Sequence, residues 1–384
     1  MKSIFLKSLA LLMFCSSGII ALGQAKDSLD TMIGQMIMAG VRDYANSAIR
    51  TELFEDLGSG KVGGVILFEK NVVPQNSKQE LSEMILKLQQ KSMRSLLVAI
   101  DEEGGKVNRL KPKYGFHKPP SAQFLGKMDN YDSTAYFSKL NARNLQNLGI
   151  NVNFAPCVDV AVNPNNPIIA GKERSFSSDF RKVAYHAAAY IRGHDEVGVA
   201  TSLKHFPGHG SSKNDTHLGV ADVSDTWLVE EIYPYQMLLD SGLVKAVMTS
   251  HVVNRSLDES KKPGTLSPKI VNGLLRGHLG FDGVVFTDDM QMKAITDHYG
   301  VENSVKLAIE AGVDVLVFAN NVVDHEVVTV RQVHAIIKQM VADKVISRAR
   351  IEQSYGRIMK MKWELGLLEP NYVKNLERRL KELY

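Results

Sequence analysis

Short apolar or β-branched runs recur along the chain at residues 35–41 (QMIMAGV), 61–68 (KVGGVILF), 95–101 (SLLVAID), 150–156 (INVNFAP), 199–206 (VATSLKHF), 244–251 (VKAVMTSH), 283–289 (GVVFTDD) and 313–319 (VDVLVFA). Each is a strand candidate of the kind buried on both faces. Helical periodicity fills most of the gaps, at residues 76–92, 134–148, 179–197, 268–278, 301–311 and 324–342. Strand and helix in alternation predict a parallel sheet, and eight such units predict a single (β/α)8 TIM-type barrel. The alternative, an open doubly wound sheet, lacks a G-x-G-x-x-G turn after its first strand. Polar residues gather where the runs end: Asp101, Asp159, Lys204 with His205, His251, and Asp288 with Asp289. In a barrel the C-terminal strand ends share one rim, so these side chains are expected to converge on one pocket, the active site.

No Pro/Gly/Ser-rich linker or low-complexity tract divides the chain, so residues 24–384 read as one domain. The first residues, MKSIFLKSLALLMFCSSGIIALG, place Lys2 and Lys7 before an apolar stretch that closes on Ala21 and Gly23. This predicts a signal peptide over residues 1–23 and export across the inner membrane to the periplasm. The stretch is too short for a stable membrane span. Lipid anchoring through Cys15 is the alternative, although Phe14 stands where such sites need a small residue.

Cleavage would remove two of the 46 basic residues, leaving them nearly balanced against 42 acidic ones. With no basic excess, nucleic acid and anionic membrane surfaces are poor partners, and a carbohydrate or other small molecule fits better. Only Cys157 would remain, so no intramolecular disulfide is expected, and the thiol reads as a buried core group. No cofactor is called for, and a monomer is expected.

Three segments carry chemistry. KHFPGHGSSKNDTH (204–217) follows a strand, and Pro207, Gly208 and Gly210 keep it from being a helix, so it reads as a loop able to cover a pocket and move. Within it Asp215 stands two residues before His217, close enough to orient the imidazole and stabilise its charge. A histidine so partnered can give and take a proton near neutral pH. A solvated loop with unrelated histidines is the plainer alternative. A metal site using His205, His209 and His217 is a third, but Pro207 and Gly208 exclude the helix that would align the first two, and the Glu of H-E-x-x-H is missing. GVVFTDDM (283–290) delivers Asp288 and Asp289 to the rim, where a carboxylate could attack an anomeric carbon or, alternatively, cap a helix. IDEEGGKVNRL (100–110) puts Asp101 at a strand end ahead of a Gly-Gly turn and Arg109. Asp101 suits a sugar's hydroxyl groups, with Arg174, Lys204 and His205 as opposing donors; ordinary loop ion pairing is the alternative.

Taken in order, D-x-E-G-G at 101, RSF at 174, KHFPGHG and D-T-H from 204, and T-D-D-M at 287 resemble glycoside hydrolase family 3 over residues 30 to 368. The likeness is to its β-N-acetylglucosaminidase branch, known from bacterial peptidoglycan recycling. It implies a retaining hydrolase that releases terminal β-linked N-acetylglucosamine from peptidoglycan-derived or chitin-like saccharides. It also implies His217 as acid/base, Asp215 as its dyad partner, Asp288 as nucleophile, and Asp101, Arg109, Arg174, Lys204 and His205 as substrate contacts. Lys106 stands where the family commonly has Arg, and AGKERSF (170–176) is a residue longer than the usual turn. A β-glucosidase or β-xylosidase, a phosphorolytic enzyme and a non-catalytic glycan-binding barrel remain the alternatives.

Overall fold

A computed structural model describes residues 27–216, 219–321 and 327–384. The leader expected at residues 1–23 lies outside these, as does His217. All eight predicted runs are strands: β1 (Ile37–Gly40), β2 (Gly64–Leu67), β3 (Leu97–Ile100), β4 (Val152–Asn153), β5 (Ala200–Phe206), β6 (Ala246–Thr249), β7 (Val284–Phe286) and β8 (Leu316–Phe318). They run parallel in the order β8-β1-β2-β3-β4-β5-β6-β7. The remaining gap is closed by a parallel bridge between Phe286 and Val315, where the Thr287 amide donates to the Val315 carbonyl at 3.0 Å. The sheet is thus a (β/α)8 barrel with helices outside.

The strand residues themselves are buried on both faces, which is why they read as unbroken apolar runs. Inside the barrel Phe154 meets Phe286 edge to face, with ring centroids 5.2 Å apart. β4 is short, and two buried asparagines extend its ladder. Asn151 accepts from the Val98 amide at 2.8 Å and donates to the Leu96 carbonyl at 3.0 Å. Asn153 does the same to the Glu102 amide and carbonyl, each at 3.0 Å. The polar positions in INVNF therefore complete the sheet rather than interrupt it.

Helices fall where the periodicity put them. The one expected at 268–278 is wound as a π-helix, Lys269–His278. The last expected segment begins at Val330–Ala342, because the Thr329 side chain accepts from the Gln332 amide and caps it there. On the N-terminal face of the barrel, buried Lys362 donates to Gln35 Oε1, the Gly63 carbonyl and the Ser95 carbonyl at 2.6, 2.8 and 2.7 Å. It thereby ties the entries to β2 and β3 to the helix Arg348–Glu364.

Phe286 sits at the ring contact inside the barrel and on the closing bridge. Phe286→Ala is expected to cost about 3–5 kcal/mol through lost burial and a residual cavity, read as a shift of the urea midpoint at unchanged slope.

Candidate active site

The chain after β3 turns on Gly104 and Gly105, whose φ values are +98° and +57°. A Cβ on Gly104 would lie 2.3 Å from the Pro120 carbonyl oxygen, so the turn needs glycine for space as well as for angle. It brings Arg109 back over the strand end. Glu102 secures the return: its carboxylate accepts from the Arg109 and Leu110 amides at 2.7 and 3.1 Å, and from the Asn108 side chain. Burial pushes the Glu102 carboxyl up to about 7, against those donors.

Residues from three strand-end segments then form a chain of alternating charge. Arg109 lies 3.6 Å from Asp101. Lys204, at the end of β5, donates to Asp101 Oδ1 and to Glu103 Oε1, both at 2.7 Å. Arg174 grips the same Glu103 in bidentate fashion, Nε to Oε2 at 2.9 Å and Nη2 to Oε1 at 2.7 Å. Burial opposes ionisation of both acids, but Lys204 with Arg109 holds Asp101 below the usual carboxylate range, and Arg174 with Lys204 holds Glu103 well below it. Asp101 and Arg109 keep 17% and 30% of their side chains exposed, so this end of the chain opens to solvent.

Beyond Arg174 the chain continues through His205 to Asp159. Arg174 Nη2 lies 3.0 Å from His205 Nε2, and a guanidinium can only donate. Nε2 is therefore the acceptor, and the proton sits on Nδ1, which donates to Asp159 Oδ2 at 2.6 Å. The Cys157 thiol donates to the same oxygen at 3.1 Å. The sequence reading made His205 a substrate contact. Both of its ring nitrogens are engaged within the protein, between Arg174 and Asp159, so that it also braces Arg174. Asp159 is fully buried; His205 and His209 outweigh the cost of burial and keep it strongly acidic.

The Lys106 ammonium donates to the Gly171 carbonyl and pairs with Glu173, each at 3.0 Å. It faces solvent and fastens the turn that delivers Arg174.

The loop after β5 is not the free cover that its prolines and glycines predict. Residues 207–212 are buried. Asn166 donates to the His209 and Gly210 carbonyls at 2.7 and 3.1 Å, and the Trp227 indole donates to the Pro207 carbonyl at 3.1 Å. Glu231 accepts from the Gly210 amide at 2.7 Å and the Ser211 amide at 3.3 Å, and burial pushes its carboxyl up to about 7. A Cβ on Gly210 would lie 1.8 Å from the Val160 carbonyl oxygen. The motif is small-residue packing against the rim, and exposed chain begins only at Lys213 and Asn214. Asp215 lines a cavity of about 430 Å³ there.

At the end of β7 the two aspartates divide. Asp289 accepts from the Gln291 and Ala319 amides, both at 3.1 Å, which ties β7 to β8. His251 Nε2 donates to the Asp289 carbonyl at 3.0 Å. Neither aspartate caps a helix, because the next one, Lys293–Tyr299, has Met292 at its N-cap. Asp288 is half-buried on the rim, with its carboxylate accepting from the Asp289 amide at 2.8 Å.

Glu103, Asp159, Glu231 and His251 also belong to the rim; the sequence reading set Asp159 and His251 there without a chemical role and did not single out Glu103 or Glu231. Glu103 was legible as the second acid of D-x-E-G-G, and Asp159 as a strand-end acid. Glu231 lies in a helical stretch with no motif. Among the described residues, Cys157, Asp159 and His205 form the one group with donor atoms close enough together for a metal ion, within 4.8 Å. The Cys157 thiol and His205 Nδ1–H both donate to Asp159 Oδ2. His205 and His209 do not share a helix face; their rings lie 6.0 Å apart at 80°.

Two measurements check this arrangement. Nitrogen-15 spectra of the imidazoles are expected to show His205 with its proton on Nδ1, and Asp159→Asn to abolish that signature. For Glu231 the sign follows from its raised pKa. Between about 4.5 and 7 the folded state holds a proton that the unfolded chain has released, so stability falls as pH rises through that window and levels above it. Relative to Glu231→Gln, the parent is expected to lose on the order of 3 kcal/mol across it, read by urea unfolding at a series of pH values.

The sequence profile of the glycosyl hydrolase family 3 N terminal domain matches residues 28–361. The chain is 30% identical over 391 aligned positions to beta-hexosaminidase A of Pseudoalteromonas piscicida, covering 92% of this chain and 64% of that protein. It therefore spans just under two thirds of that longer relative. It is 33% identical over 284 positions to a beta-hexosaminidase of Tolumonas auensis, covering 73% and 82% of the two chains. A glycoside hydrolase family 3 beta-N-acetylglucosaminidase from Paenibacillus sp. superposes with a TM-score of 0.80 at 31% identity, over 92% of this chain and 68% of that one. With a profile spanning nearly the whole barrel, and a barrel whose C-terminal rim carries the site, the chain belongs to glycosyl hydrolase family 3.

Proposed function

We propose that the protein is a retaining glycoside hydrolase that removes terminal non-reducing β-linked N-acetylglucosamine from peptidoglycan-derived or chitin-like oligosaccharides. The observation that carries this reading is the pairing, on one rim, of a preassembled Asp101–Lys204–Glu103–Arg174 network with a half-buried Asp288 whose neighbour Asp289 is tied to backbone. A polyhydroxylated ring needs several convergent donors and acceptors, and its anomeric carbon needs a nearby carboxylate. The names of the similar enzymes agree with an N-acetylhexosamine as the sugar.

In the reaction, Asp288 attacks the anomeric carbon while the departing oxygen takes a proton from His217, leaving a glycosyl ester on Asp288. His217 then deprotonates a water molecule, which attacks the same carbon, breaks the ester and releases the sugar with its configuration retained. Asp215 holds the imidazole for both steps. Asp101, Arg109 and Lys204 bind the ring, and Arg174 contacts it while held from behind by His205. The residues from 24 onward act as one barrel domain and as a monomer, exported to the periplasm behind the leader.

Cleavage of 4-nitrophenyl β-N-acetylglucosaminide tests the proposal. The parent is expected to turn it over faster than the corresponding glucoside, and Asp288→Ala and His217→Ala to lower kcat at least about a hundredfold without unfolding. Faster cleavage of the glucoside would move the assignment to another sugar. A sugar 1-phosphate formed in phosphate buffer would replace hydrolysis by phosphorolysis.

A further inference from the structure

The loop after β5 is fixed on both sides of the stretch that carries Asp215 and His217. On entry it is held from the segment after β4. Asp159 accepts from the His209 amide at 2.8 Å, Asn166 donates to the His209 and Gly210 carbonyls, and Asn163 donates to the Ser212 carbonyl at 2.9 Å. On return, Ala221 and Asp222 pair in parallel with Val252 and Val253 just beyond β6, and the Val223 amide donates to the Val253 carbonyl at 2.8 Å. Asp215 and His217 lie in the arm between, from Lys213 to Val220.

Glu231 and Trp227 join the two fixed points. Both stand on the returning segment, and both reach back to the entry. The Glu231 carboxylate accepts from the Gly210 and Ser211 amides, 21 and 20 residues earlier in the chain, and the Trp227 indole donates to the Pro207 carbonyl, also 20 residues earlier. Packing is as close as the bonding. Gly208 has a φ of +119°, and a Cβ on it would lie 2.7 Å from the Glu231 Cβ. Glu231 is fully buried among buried loop residues, so the two amides have no solvent to bond in its place.

We propose that Glu231, assisted by Trp227, is a positioning residue for proton transfer: it closes the loop into a clasp and thereby sets where Asp215 and His217 are held. The proposal rests on the reading of His217 as acid/base given above. Proton transfer responds to such a device because displacing a catalytic group by about 1 Å can cost on the order of a hundredfold. The sugar is bound by charges at the ends of β3 to β5, which hold one another without the clasp.

Phenyl and 2,4-dinitrophenyl β-N-acetylglucosaminides separate this role from a general structural one, because dinitrophenolate leaves without a proton and phenolate needs one. In Glu231→Leu, kcat/KM is expected to fall roughly tenfold or more for the phenyl glycoside and less than about twofold for the dinitrophenyl one. Azide is expected to speed turnover of the latter, since it attacks the glycosyl ester and frees Asp288 with no proton to remove. His217→Ala sets the full size of this signature. Glu231→Gln, whose side-chain carbonyl still accepts from an amide, stays near the parent. Equal losses on both glycosides in Glu231→Leu, or no loss, overturn the proposal. Where Glu231→Leu does not fold, Trp227→Phe, which removes one donor from the same clasp, is read by the same criteria. Hydrogen–deuterium exchange gives a readout free of turnover: peptides covering residues 208–216 exchange faster in the folded variant than in the parent or Glu231→Gln, while those of the barrel strands are unchanged. Faster exchange supports the clasp even if the parent cleaves neither glycoside, in which case the glycosidase reading alone falls. Unchanged exchange overturns the clasp.

Discussion

The site depends on how five buried or half-buried charges are kept ionised in a protein interior. Isolated there, each would lose its hydration at a cost of several kcal/mol and shift toward its neutral form. Arranged as Arg109, Asp101, Lys204, Glu103 and Arg174, each ion has an opposite neighbour within 2.7 to 3.6 Å. Asp159, beyond the neutral His205, brings the acids to three against three cations. The result is rigid before any ligand arrives, and a rigid polar wall stabilises developing charge without having to reorganise.

The barrel makes this possible because its strand ends converge whatever their separation in sequence. Glu103 and Arg174 are 71 residues apart, and Lys204 is 103 from Asp101. Local devices aim each strand end. Two glycines allow the turn after β3, Glu102 and Glu231 gather backbone amides on either side of the rim, and Asp289 locks β7 to β8 beside Asp288. Glu102 and Glu231 serve as backbone anchors, and burial raises both, whereas the acids in the charge chain are lowered by their cations.

Much of this was legible in the sequence. Strands buried on both faces leave unbroken apolar runs, so all eight stood out, and the polar residues at their ends marked the rim. What could not be read was pairing. Glu103 stood in a quoted motif, but nothing in one dimension says that it, rather than Asp101, takes both Lys204 and Arg174. His205 stood in a polar motif, but its partners Arg174 and Asp159 come from other strand ends. The glycines of KHFPGHG signalled freedom, yet they serve close packing, since the Val160 carbonyl and Glu231 occupy the space that side chains would need.

The central claim is that this rim carries out displacement at an anomeric carbon through Asp288. Mass spectrometry after incubation with a slow-turnover 5-fluoro N-acetylglucosaminyl donor tests it most directly, because the covalent ester then accumulates. The account predicts one added fluorosugar, localised by digestion to the peptide containing Asp288 and absent from Asp288→Ala. A sugar found on another residue, or no adduct from a protein that cleaves the ordinary substrate, would contradict it.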